Sequence, residues 1–304
     1  MPAAWQPGKS GPAATGHLWT RRAYTRGPMK PPRKPQRPPA RSPRSTPPGD
    51  RRPPRHAGKA EEKFHGVRAC EALFARRPGD IVRVYVTVRR KPTFAKLLEY
   101  CVRERKGFQV VDDENLERLT GSLHHEGIAV LAKAARRLDL AGLLHGIEAG
   151  AITGPLLYLD GVQNPHNLGS ILRTAAHFGV GAILGAGGAL PPLSPAAVRV
   201  AEGAAEFVPV CDLVDPVADL KRLKKAGYSV AVTSSHRGAP VYSATLGDKV
   251  LLVLGSEGEG VSRPIDAIAD LRLQIPGTAV VESLNVSVAC GIALSEIWRR
   301  TNRP

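Results

Sequence analysis

A chain of 304 residues with 42% hydrophobic residues has room for about two folded domains with ordinary cores, which excludes a fibrous or wholly unfolded protein. Its net charge of +16 makes polyanions the natural partners. Four cysteines without a CxxC pair, and no apolar run of membrane-span length, set aside zinc ribbons, disulfide scaffolds and spanning helices.

The charge is concentrated at one end. Residues 1–60 hold 4 Lys and 10 Arg against the single Asp50, so 13 of the 16 net charges sit there with 14 of the 27 prolines. Such a segment buries too little apolar surface to fold, and it is read as a disordered basic arm that either attracts a polyanion or serves only as a solvated linker. Order is expected from Glu61. "FHGVRACEALFARRPGDIVRVYVTV" predicts a helix, a Pro-Gly turn and a strand at 81–88. "TFAKLLEYCVRERKGFQVVD" predicts an amphipathic helix with Phe94, Leu97, Leu98 and Cys101 inward, then a strand at 109–111. "DENLERLTG" supplies a short helix closed by Gly121, and "GIAVLAKA" a last strand. Residues 61–135 therefore form a small α/β unit, followed by a helical linker at 136–152. From 153 to 304 a second alternation begins, with strands "LLYLDGV", "AILGA", "FVPV", "YSVAVTSS", "VLLVLGSE" and "LRLQIP". Doubly buried strands with helices between them imply a mainly parallel sheet, whose ligands bind at loops leaving the carboxyl ends. The chain start lacks the apolar core of a signal peptide, so a soluble cytoplasmic protein is expected.

Three of those loops carry polar residues that a core would not explain. In "LDGVQNPHNLGSILRTAAHFGV", a helix is predicted from about Leu168 with Asn167 positioned to cap it, Gly169 allowing close approach and Arg173 able to reach back toward phosphate. Singly, these read as a cap, a packing glycine and a surface ion pair; jointly they suggest a site. In "VLLVLGSEGEGVS", Gly255, Gly258 and Gly260 alternate with Glu257 and Glu259. Two carboxylates and no lysine speak against a phosphate cradle, and no Walker or dinucleotide fingerprint occurs anywhere. The third is "IPGTAVVESLNVSVACGIALSEI". Leu284, Val288, Ile292 and Ile297 mark a helix, Ser283 is a plausible N-cap, and Asn285 falls in the first turn.

Together, N-x-x-N-x-G-x-x-x-R (164–173), L-G-S-E-G-E-G (254–260) and I-P-G…E-S-L-N-V-S-V-A (275–289) resemble the three ordered motifs of the SpoU, or TrmH, family. Its members are RNA ribose 2'-O-methyltransferases of the knotted SPOUT class. The likeness spans about 153–300, and residues 61–135 are similar to the RNA-binding substrate domain that often precedes it. The resemblance implies a mainly parallel α/β sheet with a trefoil knot, a homodimer, and S-adenosyl-L-methionine bound in the knotted loops. By position, Thr233, Gly255, Ile275 and Leu284 would contact the cofactor, and Asn167, Arg173, Glu257, Ser283 and Asn285 would form the catalytic set. A sulfonium supplies the driving force, so no metal is implied. Arg173 would engage the ribose hydroxyl and adjacent phosphate, fixed by Asn167 and Asn285, with Glu257 anchoring backbone or pairing with it. The RNA is ribosomal or transfer RNA, with ribosomal favoured by the separate substrate domain. A non-catalytic RNA-binding or ribosome-assembly factor on the same fold is the alternative, against which the intact motifs argue.

Overall fold

The structure, a computed structural model, describes residues 61–191, 194–278 and 280–302. The basic segment 1–60 lies outside them, and so does the expectation of a disordered arm. The first strand, β1 (Glu61–His65), is not anticipated in the sequence reading, because five residues with only Phe64 and His65 buried give too short a pattern. Next come α1 (Val67–Arg76), β2 (Ile81–Val86), α2 (Ala95–Arg103), β3 (Gly107–Val110), α3 (Asp113–Thr120) and β4 (Ile128–Lys133). They build a sheet of order β1-β4-β2-β3, antiparallel except for the β2–β3 pair. Phe94, Leu97, Leu98 and Cys101 are all buried. Asp112 caps α3 by accepting from the Asn115 backbone N–H, and Gly121 closes it at φ 68°. Helix α4 (Leu140–Glu148) then leads to the second sheet.

That sheet alternates β5 (Leu156–Asp160), α5 (Pro165–His177), β6 (Ala182–Ala186), α6 (Pro195–Ala201), β7 (Val210–Leu213), α7 (Pro216–Lys225), β8 (Ser229–Thr233), β9 (Ala239–Pro240), β10 (Val250–Gly255), α8 (Arg263–Asp266), β11 (Leu271–Gln274) and α9 (Val286–Thr301). The order is β7-β6-β5-β10-β8-β11-β9, and every neighbouring pair is parallel. The central strands β5, β6, β8 and β10 bury both faces with period two. Leu157, Leu159, Leu252 and Leu254 meet Ile171 and Leu172 of α5 and Leu294 and Ile297 of α9. Leu156, Tyr158, Leu251 and Val253 meet Leu143 of α4 and Leu220 and Leu223 of α7. The strand expected at "FVPV" lies three residues later, at "VCDL". Pro209 has no N–H to give, and joins the sheet only through its carbonyl, which accepts from Ile183. All four cysteines are buried and unbridged, and burial pushes the Cys211 and Cys290 thiols up to about 12.

The two sheets share packing around α6. Val198 of α6 joins the core of the four-stranded sheet. At Gly203 (φ 84°) a Cβ would lie 2.6 Å from the Ala72 side chain of α1, so only glycine fits. Arg77 donates to both carboxylate oxygens of Glu206, at 2.6 and 3.0 Å, and also to the Lys133 carbonyl.

On α9 the sequence stripe is rotated. The buried positions are Val286, Cys290, Ala293, Leu294 and Ile297, whereas Leu284 and Val288 are exposed. The buried Glu296 accepts from Arg299 at 2.7 Å and from Arg300 at 2.6 Å. The Arg299 hydrogen bonds, aided by Arg300 against the opposing effect of burial, hold its carboxyl down at about 2. A carboxyl near 4.5 when unfolded and about 2 when folded contributes stability above pH 4.5, and this is lost as pH falls toward 2. Urea unfolding should therefore show Glu296→Gln less stable than wild type at pH 7, with the gap narrowing by pH 3; a gap of constant size would contradict the ion-pair account.

Candidate active site

The three motif loops leave strands that are neighbours at one end of the sheet. β5 and β10 are adjacent, β8 flanks β10, and β11 flanks β8. Asp160, at the end of β5, accepts from the Ser262 backbone N–H at 2.7 Å and so ties the first loop to the second. Asn164, not Asn167, caps α5: its side chain accepts from the His166 N–H, and Pro165 occupies the first helical position. The helix thus begins three residues earlier than predicted, which turns Asn167 inward to 8% exposure.

A buried amide needs partners, and Asn167 finds them on the other two loops. Its Nδ2 donates to Glu257 Oε1 at 2.9 Å, and its Oδ1 accepts from Asn285 Nδ2 at 3.1 Å. Asn285 Nδ2 also donates to Glu257 Oε1, at 2.8 Å. Asn285 rather than Ser283 caps α9, its Oδ1 accepting from the Ser287 N–H at 2.9 Å and the Ser287 hydroxyl at 2.6 Å. Both amide hydrogens of Asn285 and its oxygen are therefore engaged. One residue from each loop meets the other two.

The glycines of the second loop have a backbone reason. Ser256 and Gly260 exchange backbone hydrogen bonds at 3.1 and 3.2 Å, folding the loop onto itself. A Cβ on Gly255 would stand 2.1 Å from the Gly260 carbonyl carbon, so no side chain fits there. Thr233, ending β8, donates its hydroxyl to the Val253 carbonyl at 3.0 Å. Ile275 is half-buried just after β11, while Ser283 and Leu284 are exposed before α9.

Arg173 departs from expectation. It lies six residues past Asn167, about one and two-thirds turns along α5, and pairs with Glu202 at 3.0 Å. Glu257 therefore bonds the two asparagines and not the arginine, and neither asparagine fixes Arg173. The ion-pair reading of Arg173 describes its present contact. Sequence reasoning passed over Asp160, Ser287 and Glu202; only Asp160, a carboxylate at a strand's carboxyl end, gave a positional hint. Among the described residues, no group of three His, Cys, Asp or Glu side chains is arranged to hold a metal.

The α/β fold is shared with a solved RNA methyltransferase, and the sequence is similar to others. The profile of the SpoU rRNA Methylase family matches residues 154–295, and that of RNA 2'-O ribose methyltransferase substrate binding matches 65–138. The chain is 39% identical over 243 residues to the "Uncharacterized tRNA/rRNA methyltransferase YfiF" of Escherichia coli O157:H7, covering 80% of this chain and 69% of that protein. It is 33% identical over 246 residues to the 23S rRNA (guanosine-2'-O-)-methyltransferase RlmB of Coxiella burnetii, covering 80% and 97%. The fold also matches the SpoU methyltransferase AviRb from Streptomyces viridochromogenes, solved with AdoMet, with TM-score 0.64 and 20% identity over 79% of this chain and 90% of that one. This chain belongs to the SpoU family.

If the joint holds the loops, Asn285→Ala should lower unfolding free energy by about 1–2 kcal/mol, from the lost cap and the unmet Glu257 contact. Asn285→Asp keeps a capping oxygen but sets a second carboxylate against Glu257, and it too should unfold at lower urea than wild type. An Asp variant as stable as wild type would show that the bonds to Glu257 contribute nothing.

Proposed function

We propose that this chain transfers a methyl group from S-adenosylmethionine to a ribose 2'-oxygen in ribosomal RNA. The observation that carries this reading is the joint among Asn167, Glu257 and Asn285, which gathers three loops at the carboxyl ends of parallel strands. The naming of the RlmB relative as a 23S rRNA guanosine-2'-O-methyltransferase supports ribosomal over transfer RNA.

The residues suit the cofactor. Gly255 lets the second loop fold back tightly onto the end of β10, half-buried Ile275 and exposed Leu284 offer apolar surface for a flat base, and Thr233 ends β8, the strand between β10 and β11. Glu257 and Glu259 favour a positively charged ligand over a phosphate. Bound S-adenosylmethionine supplies a methyl group that its sulfonium activates toward the ribose oxygen. Arg173 orients the hydroxyl and its adjacent phosphate; a guanidinium keeps its proton, so the phosphate accepts the one that the hydroxyl loses. Asn167, Glu257 and Asn285 keep the loops in register, and Ser283, exposed at the mouth of α9, offers a hydroxyl near the reacting groups.

The same reading divides the chain into a basic arm at 1–60, an RNA-binding unit at 61–135, a linker at 136–152 and a catalytic domain at 153–304. The strand order, with β8 between the consecutive strands β10 and β11, is compatible with a C-terminal segment threaded as a trefoil knot. Leu284, just before α9, and Val288 and Trp298 on it are 43%, 50% and 48% exposed, and a homodimer would cover them. No helix among the described residues is long and apolar enough to cross a membrane, and cytoplasmic residence fits an enzyme acting on ribosomal RNA.

With labelled S-adenosylmethionine and ribosomal RNA transcribed in vitro, wild type should label the RNA, and Arg173→Ala should cut the rate by about 100-fold or more. Equal labelling by both would remove Arg173 from the mechanism. Deleting residues 1–60 should weaken RNA binding at low salt and leave S-adenosylmethionine affinity unchanged, as calorimetry and filter binding would measure; undiminished RNA affinity would rule out the arm as an RNA contact.

A further inference from the structure

We propose that Glu202 is a place-holder for a substrate phosphate, parking Arg173 until RNA displaces it. The proposal deepens the reading of the chain as an RNA methyltransferase and rests on it. Glu202 belongs to none of the three motifs. Its carboxylate sits 3.0 Å from Arg173, and the two side chains are 48% and 58% exposed. An ion pair so wetted is weak and readily exchanged. Phosphate offers a guanidinium the same paired acceptor oxygens as a carboxylate, so the exchange needs no new geometry at Arg173.

The mount of Glu202 is unusual. Its backbone is left-handed, at φ 46° and ψ 44°, a conformation that costs a residue with a side chain and is tolerated where surroundings impose it. The surroundings here are the small sheet. Gly203 is pressed against Arg68 and Ala72 of α1, and Glu206 is clamped by Arg77. The carboxylate is thus presented on a segment that cannot follow the arginine when it moves.

The pair also stands in a place suited to RNA. Arg173, Glu202 and Phe207 line an open depression in which, among the described residues, Glu202 is the only carboxylate. The Phe207 ring is 52% exposed, with the Arg76 guanidinium 5.3 Å from its centre. A half-exposed aromatic ring with one arginine over it and another lining the same depression is a surface on which an unpaired nucleotide stacks and its phosphate pairs. A carboxylate in that wall repels RNA, unless its task is to hold Arg173 in the interval.

The test uses the whole chain, in vitro transcribed ribosomal RNA and labelled S-adenosylmethionine, with filter binding alongside. Glu202→Gln should lower KM for the RNA, and its Kd, by about two- to fivefold. In an Arg173→Ala background the gain in RNA affinity should vanish. Glu202→Gly, which also relieves the left-handed backbone, should move KM and Kd in the same direction and decides the matter where the Gln variant fails to fold. An unchanged or raised KM, or a gain that persists without Arg173, would overturn the proposal. If wild type transfers no methyl group to the RNA, the enzymatic reading fails; the affinity comparison still reports separately on Glu202.

Discussion

One carboxylate oxygen, Glu257 Oε1, accepts from two amides that lie 90 and 28 residues away in the chain, and those amides bond each other. The constraint it imposes is severe. Asn167 is almost wholly buried, and a buried amide without partners costs more than the hydrogen bonds return. The first loop therefore depends on the second and third for the partners of its buried amide. Asn285 adds to this by serving two purposes, capping α9 with its oxygen while its nitrogen closes the joint. The polar residues at the mouth of an otherwise apolar helix are the fastening of the site.

Strand order makes that fastening possible. β5, β10, β8 and β11 lie side by side and run the same way, so four chain segments distant in sequence emerge at one edge. Around them the packing is conventional, with β5, β6, β8 and β10 sending alternate side chains to the two helical layers. The less expected link runs outward, from α5 through Arg173 and Glu202 to the segment held by Arg77 and α1. It connects the helix bearing the proposed reactive arginine with the unit proposed to bind RNA, and gives RNA docking a physical route to the arginine.

Much of this was legible in the residues. The apolar runs "LLYLD", "AILGA" and "VLLVLG" are strands of the sheet as read, and the spacing of asparagines and glycines marked the three loops that the Asn167, Glu257 and Asn285 bonds bring together. What failed was local and has local causes. Two polar candidates compete at each helix start, and sequence alone does not say which oxygen meets the open N–H groups. Asn164 won over Asn167 because Pro165 begins the helix, and Asn285 over Ser283 because its nitrogen has Glu257 to satisfy it. Pro209 displaced a strand by withholding a donor, and β1 and β9 are too short to carry a period. Glu202 was invisible for a different reason. Its partner is on another helix, and nothing in "VAEGAA" announces a left-handed glutamate.

The central claim is that the glutamate–asparagine joint shapes the loops that hold the cofactor. Calorimetric titration of S-adenosylmethionine into wild type and Glu257→Gln tests it most directly. The account predicts one cofactor bound per wild-type chain and an affinity about tenfold lower in the variant, whose neutral amide oxygen accepts the two asparagine bonds more weakly than a carboxylate does. Equal affinities would mean that the joint and the cofactor site are independent.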